Sequence, residues 1–415
     1  MEFFFIMFFF FILYIVFGFK NTGSDYSDNK KRSKYFTLFL KEFDIPFNAK
    51  FAKHLNIQFQ RSSLNFSIRL AAKNQILIFA ERSEPLQGLI KIYNIMGNWN
   101  SIGEGVKTYD LEFDGELQAY SSNKEYIVAY LRKDIRDLLL DIKKLTNDLE
   151  VSSSWIKASL SYGYHEEPQE LIQVVKKIIE VQNHFNKIYD FKKALLYNVR
   201  KEKKPLIRLN NLKTFILKYG SDKDSKNEIK TFLNDKETSI RFHAARYLGE
   251  EGLPDLLDII KNTKLEDHDL TEAINSFGNY SYLESIDLLK NIYEQSYSLD
   301  VQSSIIKALG EMGDGLCEIF LLDTYKSVED TSLKLVFFKS LGLCGTVKSV
   351  EPLRGFMKDI INPLVANQGQ KAIERIQSRL GNVERGWVSL DEMEEKEGGI
   401  SIKNNNDGSL SVAED

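Results

Sequence analysis

Two kinds of hydrophobic spacing divide the chain. From about residue 35 to 165 apolar residues alternate with polar ones: "LNFSIRL" (64–70), "QILIFAE" (75–81), "LIKIYNI" (89–95) and "YDLEFDG" (109–115) repeat every second position. That period predicts half-buried strands, and "ELQAYSS" (116–122) continues it. In "SNKEYIVAYLRKDIRDLLLDIKKL" (122–145) the spacing changes to that of a helix, with Leu131, Ile135, Leu138, Ile142 and Leu145 on one face. Ser122 followed by Glu125 predicts a capping box at its start. "DLEVSSSWIKASLSYG" (148–163) predicts a hairpin. Pro168 opens a further amphipathic helix carrying Leu171, Val174, Val175, Ile178 and Ile179.

Beyond residue 205 the helical period repeats. Gly220, Gly249, Gly278, Gly310, Gly342 and Gly381 stand 29, 29, 32, 32 and 39 residues apart. Each follows an apolar or small stripe, such as Ile240, Ala244, Ala245 and Leu248, or Val301, Ile305, Ile306, Ala308 and Leu309, or Leu333, Phe337, Phe338 and Leu341. A second apolar run follows most of these glycines, as in Leu256, Leu257, Ile259 and Ile260. Each unit therefore reads as helix, turn, helix, with the glycine taking the left-handed conformation that ends the first helix. One such pair cannot bury both faces, whereas stacked pairs form a solenoid.

These residues resemble the HEAT-repeat family, in the short form found in phycobilin lyases. Ile240, Arg241, Ala244, Ala245, Leu248 and Gly249 match its first-helix pattern in place. Gln302 and Lys334 stand where that pattern has arginine. The resemblance covers about 205–382 and implies a helical solenoid. The residues it assigns to repeat turns and packing are Arg241, Ala244, Leu248, Gly249, Gly278, Leu309, Gly310, Leu341, Gly342 and Gly381. Residues 35–165 resemble membrane-tethered bacterial domains of unknown function.

The expected fold class is thus an α+β N-terminal domain (35–200) followed by an all-α HEAT-like solenoid (205–382). Three segments flank or join them. Phe3 to Phe19 is an uncharged, almost wholly apolar run of 17 residues, the lower limit for a membrane-spanning helix. It has neither a basic start nor a small-residue cleavage site, so an uncleaved anchor is expected over a secretory signal. Lys20, Lys30, Lys31, Arg32 and Lys34 follow it and place the body in the cytoplasm. An exported, periplasmic body is the alternative. Residues 21–34 read as a polar tether, and the basic "RKEKKPLIR" (200–208) as a solvated hinge. The tail 383–415 is acidic at Asp391, Glu392, Glu394, Glu395 and Glu397, and in "GWVSL" Trp387 and Leu390 stand apolar in this polar tail. Disorder is expected there.

Charge and chemistry narrow the function. The net charge is −4, which predicts no general affinity for nucleic acid. Cys317 and Cys344 make neither a disulfide framework nor a zinc site and read as buried thiols. His54, His165, His184, His243 and His268 are scattered, without the H-E-x-x-H spacing of a metalloprotease. "SIGEGVK" (101–107) holds a lone G-x-G, and "HEEPQE" (165–170) groups acids beside a helix start. No phosphate-binding loop and no nucleophile elbow is present. The expectation is a non-enzymatic, membrane-anchored scaffold that binds protein partners through its solenoid, with no cofactor and no metal. The alternative implied by the resemblance is a lyase-type enzyme acting on a tetrapyrrole or another modified protein.

Overall fold

The computed structural model describes residues 26–46, 56–71, 75–88, 90–94, 105–161, 168–188, 190–295, 298–358 and 360–379. The chain forms two compact units, Met1–Tyr247 and Leu248–Asp415. The apolar segment 3–19, Gly381 and the acidic tail lie outside the described residues. Among the described residues no helix is long and apolar enough to cross a membrane.

The first unit is built on a seven-stranded, wholly antiparallel sheet in the order β1-β2-β3-β7-β6-β4-β5. Its strands are β1 (Asn56–Arg61), β2 (Leu64–Ala71), β3 (Gln75–Arg82), β4 (Ile90–Asn94), β5 (Leu117–Ser121), β6 (Asp148–Ser152) and β7 (Trp155–Ser161). Alternation sets the two faces. Ile57, Phe66, Ile68, Ile76, Ile78, Ile92, Val151 and Ile156 point inward and are buried. On that side α3 (Lys124–Tyr130) touches β5 and α4 (Lys133–Leu145) touches β6; α5 (Gln169–Phe185) packs on α4, and α1 (Tyr26–Glu42) on α5. The helix α1 corrects the expected tether: residues 26–34 are helical, and Phe36, Phe39, Leu40 and Phe43 further along it are buried.

Two more expectations change here. Residues 109–115 are not a strand. Tyr109 adopts φ 64° and α2 (Leu111–Glu116) follows, with Phe113 fully buried. The Asp114 carboxylate accepts from the Thr108 hydroxyl (2.7 Å) and from the Tyr109 N–H (2.9 Å), which closes the turn. The helix expected over 122–145 is two helices. Asn123, not Ser122, caps α3 by accepting from the Glu125 N–H. Leu131 (φ −81°, ψ 55°) and the extended Arg132 break the run. The break frees the Leu131 carbonyl to accept from Arg136 at 2.6 Å. The buried stripe of α4 then runs through Ile135, Leu139 and Ile142, with Leu138 only half-buried.

Four helices complete the unit: α6 (Phe191–Lys201), α7 (Pro205–Tyr219), α8 (Lys223–Thr231) and α9 (Thr238–Leu248), the last ending at the division between units. α6 and α7 pack on each other and both pack on α3. The basic stretch 200–208 is the tight turn between α6 and α7. It is not a solvated hinge throughout, because Glu202 and Arg208 are buried in it.

Among its described residues the second unit has helices and no strand: α10 (Leu253–Asn262), α11 (Asp267–Asn279), α12 (Ile286–Glu294), α13 (Leu299–Met312), α14 (Gly315–Tyr325), α15 (Thr331–Cys344), α16 (Val347–Lys358) and α17 (Pro363–Arg379). The longer helices stack in sequence, α11 on α13, α13 on α15 and α15 on α17. The shorter α12, α14 and α16 fill the spaces alongside, each packed against the long helix that follows it. This is a repeated helix-pair array, as the 32-residue period implies.

Candidate interaction surfaces

The repeat residues come first, because the sequence singles them out. Gly278, Gly310 and Gly342 do not end their helices; each lies inside one or at its last turn, with no positive φ. Their role is close approach. A Cβ on Gly278 would stand 2.8 Å from the Ala308 Cα, one on Gly310 2.7 Å from the Ser340 Cα, and one on Gly342 3.1 Å from the Ala372 Cα. Each glycine therefore receives the small residue 30 positions further along, on the next long helix. The left-handed position after α13 belongs to Gly313 (φ 71°), three residues beyond the glycine the period marks. Among the described repeat glycines Gly249 alone has positive φ (62°), and the Tyr280 ring closes over it.

The other predicted packing residues divide by burial. Ala244, Leu309 and Leu341 are fully buried, and Leu248 is half-buried. Arg241 reaches back to the carbonyls of Asp235 (2.8 Å) and Lys236 (3.2 Å) and to the Thr238 hydroxyl (3.0 Å), so it ties the loop before α9 to that helix.

Outside this packed ladder the second unit carries two surface features. α14 is apolar on two sides. Cys317 and Leu321 are buried, while Leu316 is 58% and Ile319 60% exposed. Beside them Phe320 meets the Tyr293 ring at 5.8 Å and Lys290 Nζ at 5.8 Å. An amphipathic helix that only packs inward keeps one polar face; α14 does not. Charge is also uneven. Residues 248–330 hold 18 Asp and Glu against five Lys and Arg, whereas 331–379 hold three against eight.

In the first unit the outward face of the sheet is the second candidate surface. Leu77, Phe79, Tyr93, Tyr120 and Trp155 stand on it, half-buried or exposed. Tyr93 stacks on Tyr120 (5.2 Å, 5°), and Phe79 tilts against Trp155 (5.8 Å). A hollow of about 670 Å³ opens beside Gln75, Tyr93, Asn94, Asp148, Glu150 and Lys157. Its polar groups bind one another. Asn94 donates to the Asn147 carbonyl (3.1 Å) and to Asp148 (3.3 Å), and Ser159 donates to Asp148 (3.4 Å). The sequence reading passed over this face. Its signal was the aromatic residues in the outward phase of strands whose inward phase alone seemed informative.

One charge cluster of the first unit, centred on Arg136, is buried and internally paired, whereas the buried Arg82 keeps its Nη2 without a partner. Arg136, 1% exposed, donates to Asp110 (2.9 Å), to Glu202 (2.7 Å) and to the Leu131 carbonyl. Lys204 donates to the other oxygen of Asp110 at 2.6 Å. The second oxygen of Glu202 accepts from the Lys203 N–H at 2.7 Å. Burial alone would push both carboxyls up. For Asp110 the bonds from Lys204 and Arg136 outweigh it, and for Glu202 those from Arg136 and the backbone do, so both lie below the usual range. Arg208 pairs with Asp235 nearby, and Tyr219 donates to Glu125.

The remaining candidate groups are equally plain. Cys317 and Cys344 are free and buried, and burial pushes their thiols up to about 11 and about 12. Thiols held that high are poor nucleophiles at neutral pH. His184 Nδ1 lies 2.9 Å from Asp134, and His243 is buried within α9. Among the described residues one trio of metal-type donors occurs. His268, Asp269 and Glu272 keep their donor atoms within 4.8 Å of one another, on the exposed or half-exposed first turns of α11. His54, His165, most of "SIGEGVK" and Glu166 and Glu167 fall outside the described residues.

No protein-family model and no curated protein matches the chain. Among solved structures, the mycobacterial trehalose monomycolate transport factor A, TtfA, aligns with 39% of this chain and 95% of its own at 6% identity and a TM-score of 0.28. The complex of CpcE and CpcF of phycocyanin lyase from Nostoc sp. PCC7120 aligns with 45% of this chain and 82% of its own at 15% identity and a TM-score of 0.25. At these values neither likeness assigns a fold or a function, and the architecture rests on the contacts described above.

Proposed function

We propose that the chain is a non-enzymatic scaffold whose helix-pair array binds a protein partner and whose segment 3–19 anchors it in a membrane, with the body on the cytoplasmic side. The outward apolar strip of α14 carries the reading: Leu316 is 58% and Ile319 60% exposed. The acidic surroundings of that strip favour a partner segment with basic and apolar residues at helical spacing. The internally paired Arg136 cluster of the first unit and the raised thiols of the second give no support to catalysis.

The test is partner recovery with the tagged full chain, crosslinked in the cells that make it. A partner at fixed stoichiometry is expected, with recovery falling at least about tenfold for Leu316→Glu with Ile319→Glu, as loss of a buried apolar anchor implies. Recovery unchanged by that double variant removes the α14 surface from the reading. A reporter fused after Asp415 checks topology, and activity only outside the cytoplasm would overturn the orientation.

A further inference from the structure

The long helices repeat one more feature that packing does not require. Lys307, Lys339 and Lys371 immediately precede Ala308, Ser340 and Ala372, the small residues that the ladder presses against the preceding helix. They are spaced 32 residues apart and all three are exposed. Because α13, α15 and α17 meet through glycine and small residues, neighbouring axes lie at the short end of the ordinary range, roughly 8 Å apart. The three ammonium groups therefore form one row across three helices.

Opposing charge is sparse in that row. Lys307 reaches Glu311 at 3.7 Å, while Lys339 and Lys371 make no ion pair among the described residues. Glu374 lies one turn from Lys371 and bonds instead with Gln370. One turn beyond the row stand Glu311, Leu343 and Arg375, and Leu343 is 42% exposed. One turn before it stand Ser303, Leu335 and Asn367, of which Leu335 is half-buried. The middle helix thus offers an apolar, basic, apolar face.

We infer that the occupant of this row is the chain's own acidic segment Asp391–Glu397, with Trp387 and Leu390 set against Leu343. Charge complementarity is the first reason. The segment holds five acids and one lysine, and 331–379, which carries Lys339 and Lys371, holds eight Lys and Arg against three acids. The neighbouring part, 248–330, is acidic overall and holds Lys307 beside Glu311, so the segment is drawn chiefly to Lys339 and Lys371. Reach is the second reason. Arg379 ends α17, where it donates to the carbonyls of Gly342 (2.6 Å) and Leu343 (2.5 Å), which fixes the departure point beside Leu343 itself. Eleven residues separate Arg379 from Asp391, and extended chain covers up to about 3.5 Å per residue. The span is roughly 40 Å, against about 12 Å back along α17 to Lys371 and about 16 Å across to Lys307. The order of the tail also fits, since its apolar residues come before its acids. A short tether holds the segment at millimolar effective concentration, so individually weak surface pairs suffice. The contact screens the positive end of the array and leaves the α14 strip open, so it stands whether or not that strip has a partner.

Hydrogen exchange on the full chain tests this. At low salt the 386–397 amides are expected to exchange about tenfold more slowly than in a Lys307→Gln, Lys339→Gln, Lys371→Gln variant, and the difference is expected to vanish near 1 M salt. Carbodiimide coupling is expected to join tail carboxylates to Lys339 or Lys371 within one chain, independent of concentration. The three lysines are exposed, so helix content by circular dichroism should not change. A second variant, with the five tail acids changed to their amides, leaves the array untouched and should lose the same protection. Reversing the charges on both sides should restore it. Equal exchange in wild type and both variants, coupling only between chains, or failure of the double reversal would each overturn the inference.

Discussion

The two units solve the same burial problem with opposite materials. In the first, helices meet around buried charge: Arg136, Asp110 and Glu202 come from three separated stretches and satisfy one another, with the exposed Lys204 closing on Asp110. In the second, helices meet through the absence of side chains: Gly278, Gly310 and Gly342 let Ala308, Ser340 and Ala372 approach. The difference is one of range. A charge network of high sequence separation fixes one arrangement, because a lost member leaves buried charge uncompensated. A glycine ladder uses the same short-range contact three times, so each step is replaceable in kind and the array is extensible. The first unit reads as a specified body and the second as a surface made by repetition.

The sharpest break of that contrast is Arg136→Met. It leaves the buried Glu202 without a cation and Asp110 with Lys204 alone, and should lower the stability of the first unit by about 3–5 kcal/mol, measured by denaturant unfolding followed at Trp155. Gly310→Ala attacks the other material. Its Cβ has no room against Ser340, and overpacking of this kind costs about 1–3 kcal/mol; the second unit alone should melt earlier in calorimetry. If both substitutions shifted both units equally, the contrast would fail.

Acid separates the units next. Asp110 and Glu202 lie below their usual range when folded. A depressed carboxyl contributes stability that is full above its unfolded value and lost as pH falls through the folded one. The melting temperature of the first unit should therefore hold from pH 7 down to about 5 and drop below about 4. An Asp110→Asn variant should show a shallower drop. The smallest effect sharpens the glycine argument. Gly355 lies within α16 with open space around its would-be Cβ. Gly355→Ala should stabilise the second unit by about 0.5–1 kcal/mol, opposite in sign to Gly310→Ala.

Legibility followed range as well. The strands β2, β3 and β4, the hairpin β6–β7 and the helix after Pro168 were readable, because period and caps are local properties. The repeat was readable for the same reason, down to the positions of its glycines. What those glycines do was not. Sequence offers two uses for glycine, left-handed backbone and close approach, and only the neighbour 30 residues away decides between them. The basic run 200–208 misled because its acids and partners, Asp110, Arg136 and Asp235, are distant in sequence.

Local order alone therefore determined the alternating sheet strands, the 32-residue helical period and the buried state of Cys317 and Cys344. Tertiary structure decided which charges are buried, where the helix over 122–145 breaks, and which face of the sheet and of α14 remains open. The physical reason is the same throughout. Periodicity and capping depend on neighbours a turn or a strand away, whereas burial, ion pairing and close approach depend on residues that only the folded chain brings together.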